Sequence, residues 1–266
     1  MKYPLEEELV LTQEKPSIQR RYAENILKSQ TFTFLGSGAQ CYAFLSEDKR
    51  YVLKLFKFQH MRIPPWLRNI PLPQGLGEKR SAKLLKKRRV IDDIFTSFQI
   101  AHEQLQDETG LIMLHLNKTS DLNGIVKIID RSQNCYALDL DTNYFVLQRY
   151  ATLAYDQIDQ WIEDGEVSEA RKGIRSLVKL AYKRCQRGIF DKDPNFRTNF
   201  GFVDGKAQQI DIGRFSHNEL ERKPEIFAPE IVRITREFRS WLEEHHEALV
   251  EVLDEEVAKI TTKVDR

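Results

Sequence analysis

Cysteine is scarce in this chain. Only Cys41, Cys135 and Cys185 stand among 266 residues, and no two of them have the spacing of a redox pair or a zinc site. They are expected as free thiols, buried or half-buried, in a reducing compartment. Long hydrophobic runs are missing as well. None nears the roughly 18 apolar residues that a membrane-spanning helix needs. The opening residues, MKYPLEEELVL, are acidic where a secretory signal would be basic and then apolar. A cytoplasmic protein without a membrane span is expected. An excess of one charge is lacking too: 41 Lys and Arg face 40 Asp and Glu, for a net charge of +1. That balance gives no overall drive toward nucleic acid or an anionic membrane. Repeats and low-complexity tracts are absent.

What is present suffices for a core, since 41% of the residues are hydrophobic. The length fits one large domain or two lobes. Charge is concentrated locally. Residues 79–89, KRSAKLLKKRR, are basic and read as the solvated start of a helix or as a docking patch for an anionic partner. Residues 242–256 are acidic.

Residues 16–29 open on proline and read as a short helix. The stretch 31–57 is β-rich, with strands at 31–35, 40–45 and 51–57. Residues 58–77 hold four of the nine prolines and read as an extended insertion. From 78 to 109 the apolar period is helical, and Gly110 is its stop. Four β-type runs follow up to 150, then two helices, the second ending near Gly188. Strands at 199–203 and 207–211 enclose the turn Asp204-Gly205-Lys206. A tail, 229–262, reads as one helix begun at Pro229. The boundary between the β-rich and helical halves falls near 150–153.

Several short motifs lie in that frame. FLGSGAQCYAF places Gly36 and Gly38 in a strand-turn-strand. YVLKLF puts Lys54 on an apolar strand, where alternation sets it on the same face as Val52 and Phe56. A half-buried ammonium needs an anion, although a lysine at a sheet edge can also snorkel to water. RGIFDKDPNFRTN carries Asp191, Asp193 and Asn199. QQIDIG carries Asp211. Taken singly, the glycines read equally as a hairpin turn, and the acids and asparagine as caps.

In this order, across about 31–215, the motifs resemble the protein-kinase-like superfamily. The resemblance implies an α+β, two-lobed protein-kinase-like fold. It would have a helical extension at 1–30 and a β-rich N-lobe at 31–150 with one long helix and the insertion at 58–77. A reduced, mainly helical C-lobe would follow at 151–266. The turn Gly36-Ser37-Gly38-Ala39 is similar to the glycine-rich loop, with Cys41 where a third glycine is expected. Lys54 is similar to the third-strand lysine, Leu147 to the gatekeeper, and Gln148-Arg149-Tyr150 to the hinge. Asp193 matches the catalytic aspartate, and Asp191, at the histidine position, competes for that role. Asn199, one residue late, and Asp211 match the magnesium ligands. Lys192 or Arg197 would steady the phosphoryl group, and Asn195 stands where the family has a lysine. Of the helix acids, Glu103 is preferred over Glu108 as the partner of Lys54, within roughly 4 Å. Lys57 is read as solvated. Ala228-Pro229-Glu230 mimics a kinase motif but reads more simply as a helix start.

The implied activity is transfer of the γ-phosphoryl of Mg-ATP, with ATP and Mg2+ as cofactors, to a hydroxyl acceptor of unnamed class. Two alternatives stand. The departures from the motifs suit a pseudokinase that binds nucleotide or protein without turnover. The short stretch after Asp211 suits a kinase of small molecules or lipid-linked sugars.

Overall fold

The computed structural model describes residues 17–57 and 76–262, with side chains from Arg89 onward in the second stretch. The N-terminal sixteen residues, most of the insertion at 58–77 and the side chains of 79–88 lie outside the described residues. The docking reading of the basic run therefore does too.

Helix α1, Ile18–Ser29, starts where the Ser17 hydroxyl accepts the Arg20 N–H at 3.1 Å, a standard N-cap. Its Ala23, Ile26 and Leu27 recur at helical spacing and are buried. They pack on one face of a seven-stranded sheet, against Phe32, Leu53, Val126, Phe145 and Leu147. The strands are β1 (Thr31–Ser37), β2 (Cys41–Ser46), β3 (Tyr51–Phe56), β4 (Leu111–His115), β5 (Ile125–Ile129), β6 (Cys135–Asp139) and β7 (Phe145–Arg149). Their spatial order is β4-β7-β3-β2-β1-β5-β6. The β1–β5 pair is parallel and the others are antiparallel, so the sheet is mixed.

The long helix α2, Leu76–Gln104, covers the other face. Its Ile94, Phe95, Phe98 and Ala101 pack with Phe56, Val146 and Leu111. Strand alternation sends Leu53 to α1 and Phe56 to α2, so Lys54 shares the α2 side. Helix α2 breaks at Leu105 and resumes as α3, Gln106–Thr109. Gly110 then stops it at φ 64°, the left-handed conformation that glycine adopts without strain.

The remaining chain is mainly helical: α4 (Ala154–Glu163), α5 (Val167–Gln186), α6 (Phe196–Asn199), α7 (Pro224–His245) and α8 (Val250–Thr261). Short strands β8 (Thr152–Leu153), β10 (Phe200–Val203) and β11 (Lys206–Gln209) form one small sheet. Strands β9 (Ile189–Asp191) and β12 (Phe215–His217) form another. Ile158, Ile174, Leu177, Phe200, Phe238 and Leu253 share one buried core. Each such side chain contributes about 1.5–3 kcal/mol through burial.

The tail corrects the sequence reading. It is two helices, and the first begins at Pro224, where a missing N–H is harmless. Pro229 sits inside that helix and forgoes one of its bonds. The chain breaks at His246, whose Nε2 lies 2.6 Å from Asp159 Oδ1. It then folds back so that Leu249, Val252 and Ile260 reach the same core.

Candidate functional site

Lys54 sits in mid-sheet, paired across the strands with Ala43 and Val146. It is half-buried, and its Nζ donates to the Ile210 carbonyl at 2.5 Å. Burial holds its pKa below the usual lysine value, opposed by the nearby Asp211 carboxylate and the Cys41 thiol. Cys41, at the third-glycine position, is pushed up to about 12, chiefly by burial. It is a neutral filler there, not a nucleophile.

Lys57, expected in solvent, is buried instead, at 8% exposure. Its Nζ donates to Ser37 Oγ at 2.5 Å and to the Gly38 carbonyl, and it lies 4.5 Å from the Tyr42 ring centroid. Its backbone N–H donates to the Gln40 carbonyl at 2.8 Å. Strand β1, expected to end at 35, runs on through Gly36 and Ser37, so the turn is Gly38 to Gln40, and Lys57 braces it from beneath through acceptors on Ser37 and Gly38.

Asp211 follows β11 and is exposed. One of its oxygens accepts the Gly213 N–H at 3.2 Å. Ile212, where the resembled motif has phenylalanine, is fully buried beneath α2 with Phe98 and Phe215. The backbone N–H groups of Ile210 and Asp211 donate to the Asn199 carbonyl at 2.8 and 3.4 Å. The Asn199 side chain, 6% exposed, donates from Nδ2 to the Asp193 carbonyl at 2.6 Å and accepts the Thr198 hydroxyl at 2.9 Å. Asp193 itself is open to solvent, with Arg214 Nε 4.0 Å from its Oδ2. One chain of contacts thus gathers Lys54, Asp211, Asn199 and Asp193.

Asp191 stands apart from the exposed acids. It is 1% exposed and receives Arg184 Nη1 at 3.1 Å, Gln209 Nε2, and the Asp193 N–H at 2.9 Å. Its carboxylate is thus occupied within the protein, beneath the loop that presents Asp193.

The other positions expected at the site are otherwise engaged. The Gln148 amide is buried and donates to the Thr109 carbonyl at 2.6 Å. The N–H groups of Arg149 and Tyr150 donate to the Gly110 and Arg50 carbonyls, both at 2.8 Å. Glu103 is exposed, and among the described residues no ion pair joins it to Lys54. The face of α2 turned toward Ile212 is set by Ser97, Phe98 and Ala101, and Glu103, six residues past Ser97, projects elsewhere.

Glu108 is buried and binds Lys183 and Arg187, the latter at 3.2 Å, tying α3 to α5. Burial raises its pKa, but the Lys183 bond, its own backbone N–H and Arg187 outweigh that and hold it below 4.5. Its stabilising contribution is therefore complete above about pH 4.5 and fades as pH falls through the lowered value. Glu108→Gln should cost about 1 kcal/mol at neutral pH, and that cost should shrink as pH falls through the lowered value, read by urea titration along a descending pH series.

The sequence reading missed Gln40, Ser97, Arg184 and Arg214. Arg214 was the most visible, since it directly follows Asp211-Ile212-Gly213. Among the described residues no cluster of three His, Cys, Asp or Glu could hold a metal, and no helix is long and apolar enough to cross a membrane.

Together these features define an α+β protein. Its mixed sheet carries a braced glycine turn and a lysine, and they face an acid-and-asparagine loop from the helical half. Among solved structures, a crystal structure of WbdD is similar at 12% identity with a TM-score of 0.42, covering 87% of this chain and 50% of that one. A second structure, of the bifunctional kinase-methyltransferase WbdD, is similar at 11% identity with a TM-score of 0.37, covering 85% and 47%. The chain spans about half the length of these structures. No family model and no curated protein matches it.

Proposed function

We propose that the chain is a two-lobed, kinase-like phosphotransferase that moves the γ-phosphoryl of Mg-ATP to a hydroxyl acceptor. The observation that carries this reading is the contact chain from Lys54 through Ile210, Asp211 and Asn199 to Asp193. Phosphoryl transfer depends on positioning and charge more than on covalent chemistry. The turn between β1 and β2 would meet phosphate oxygens with backbone N–H groups other than that of Gly38, which donates to the Cys41 carbonyl at 3.0 Å. Lys54 supplies a cation in a site that has already removed most of its water. Asp193 orients the acceptor hydroxyl and receives its proton, and Arg214 meets the charge that develops beside it.

The donors fit magnesium in a particular way. Asp211 and the Asn199 amide oxygen are two oxygen ligands on adjacent segments, with no closed protein cage. Magnesium favours that arrangement, keeping waters and phosphate oxygens in its remaining positions. When bound, it would neutralise phosphate charge.

A second reading, a pseudokinase, is favoured by one finding: among the described residues Lys54 bonds the Ile210 carbonyl and forms no ion pair with an acid of α2. Calorimetric binding and ATP turnover separate the two. Asp211→Asn should weaken magnesium-dependent nucleotide binding. Asp193→Asn should keep binding and lower transfer by about 100-fold or more. Saturable Mg-ATP binding without turnover in any acceptor fraction, whether protein, lipid or metabolite, would leave the pseudokinase.

A further inference from the structure

Besides the Asn199 carbonyl, three further segments hold the backbone around Asp211. Lys54 of β3 takes the Ile210 carbonyl. Ser97 of α2, fully buried, donates its hydroxyl to the Ile212 carbonyl and accepts the Phe215 N–H at 2.6 Å. Gln40, at the end of the glycine turn, donates its side-chain amide to the Gly213 carbonyl at 3.0 Å. That last contact is close: a methyl group on Gly213 would fall 1.7 Å from Gln40 Oε1. Gln40 is also anchored at its own carbonyl by the Lys57 N–H. Glycine turn, acidic turn and long helix are thus tied together with no carboxylate from α2.

We propose that Gln40 and Ser97 are positioning residues that fix Asp211 for magnesium. In this chain α2 controls the site by a hydroxyl on the Asp211–Gly213 turn, instead of a carboxylate on Lys54. The physical reason lies in the bonds themselves. Asp211 is exposed and its carboxylate makes one internal bond, to the Gly213 N–H, so that carboxylate is only as well placed as the turn that carries it. Two neutral bonds to that turn define its place without adding a negative charge next to the metal ligand. The Gln40 bond also makes closure of the glycine turn and order of the metal ligand a single event. Whatever lifts the turn releases Gly213.

This inference rests on the phosphotransferase reading. It is tested by binding of a fluorescent ATP analogue as Mg2+ is titrated, with wild type, Gln40→Met and Ser97→Ala. Methionine keeps the length of Gln40 and removes its donor. Both variants should need about tenfold more Mg2+ for half-saturation, the loss expected from one hydrogen bond to a positioned group. Analogue affinity at saturating Mg2+ should change less than about twofold. Gly213→Ala should reproduce the Gln40→Met shift, because its methyl displaces the same amide. A purely structural role would lower the melting temperature and leave the Mg2+ requirement where it was, and that result overturns the proposal. If Ser97→Ala does not fold, Gln40→Met and Gly213→Ala decide alone, since Gln40 lies outside the core. Absence of Mg2+-dependent binding by the wild type would instead remove the phosphotransferase reading.

Discussion

Lys54→Met should melt at or above the temperature of the parent protein and lose its stabilisation by Mg-ATP. The two effects share one cause. The ammonium is largely stripped of water, its pKa is depressed by that burial, and the contact it makes in return is a neutral carbonyl. A cation so placed weakens the unliganded fold, and on the phosphotransferase reading its gain comes only with the phosphates. Methionine fills the space without the charge. Because the folded pKa lies below 10.5, the unfolded chain binds the extra proton between the two values. The stability of the parent therefore rises with pH across that window, and the advantage of the variant narrows as pH approaches 10.5. At a nucleotide concentration of about 100 Kd, binding stabilises by about 2.7 kcal/mol, which for this chain length is roughly 5–10 °C in melting temperature. That increment should vanish in Lys54→Met. A variant that keeps the full increment would show that Lys54 does not contact the phosphates.

Alternation along YVLKLF places Lys54 on the face of Val52 and Phe56, because strand periodicity is strict where both faces are covered, and packing of Phe56 shows that face to be the one α2 covers. The turn after Gly38, the helical period of α2 and the stop at Gly110 are legible for the same reason, each being a local consequence of backbone geometry, whereas Gly36 belongs to strand β1. What failed was long-range. Glu103 was chosen from its place near an apolar stripe, but the rotation of a helix following a proline-rich insertion is set by packing, and packing put Ser97 toward the acidic turn. Lys57 looked like a surface lysine because its partners, Ser37 and the Gly38 carbonyl, become neighbours only after the turn folds over it. Strands β8, β9 and β12 are two or three residues long, too short for any period to register. Gln148 to Tyr150, expected as the hinge, show local bonding that no periodicity carries. Their donors complete the sheet and its neighbouring turns.

Asp191→Ala should be among the most damaging single changes in the helical half, by about 3–5 kcal/mol, although Asp191 touches no candidate substrate position. Arg184 and Asp191 are each 1% exposed, and their ion pair is enclosed between α5, β9 and β11. Removing the carboxylate leaves a buried guanidinium without its counter-ion, and Arg184 Nε already has no hydrogen-bond partner. It also frees the Gln209 amide and the Asp193 N–H. For a chain of this length the loss is on the order of 10 °C in melting temperature. Asp191→Asn keeps the shape and part of the bonding, so it should fall between the parent and the alanine variant. Arg184→Met combined with Asp191→Leu should recover much of the loss, because a well-packed apolar pair avoids desolvating two charges. Recovery of stability should not restore phosphoryl transfer in the double variant, since the Asp193 backbone would still lack its anchor at Oδ1. An Asp191→Ala protein within about 1 kcal/mol of the parent in urea unfolding would mean that water reaches Arg184.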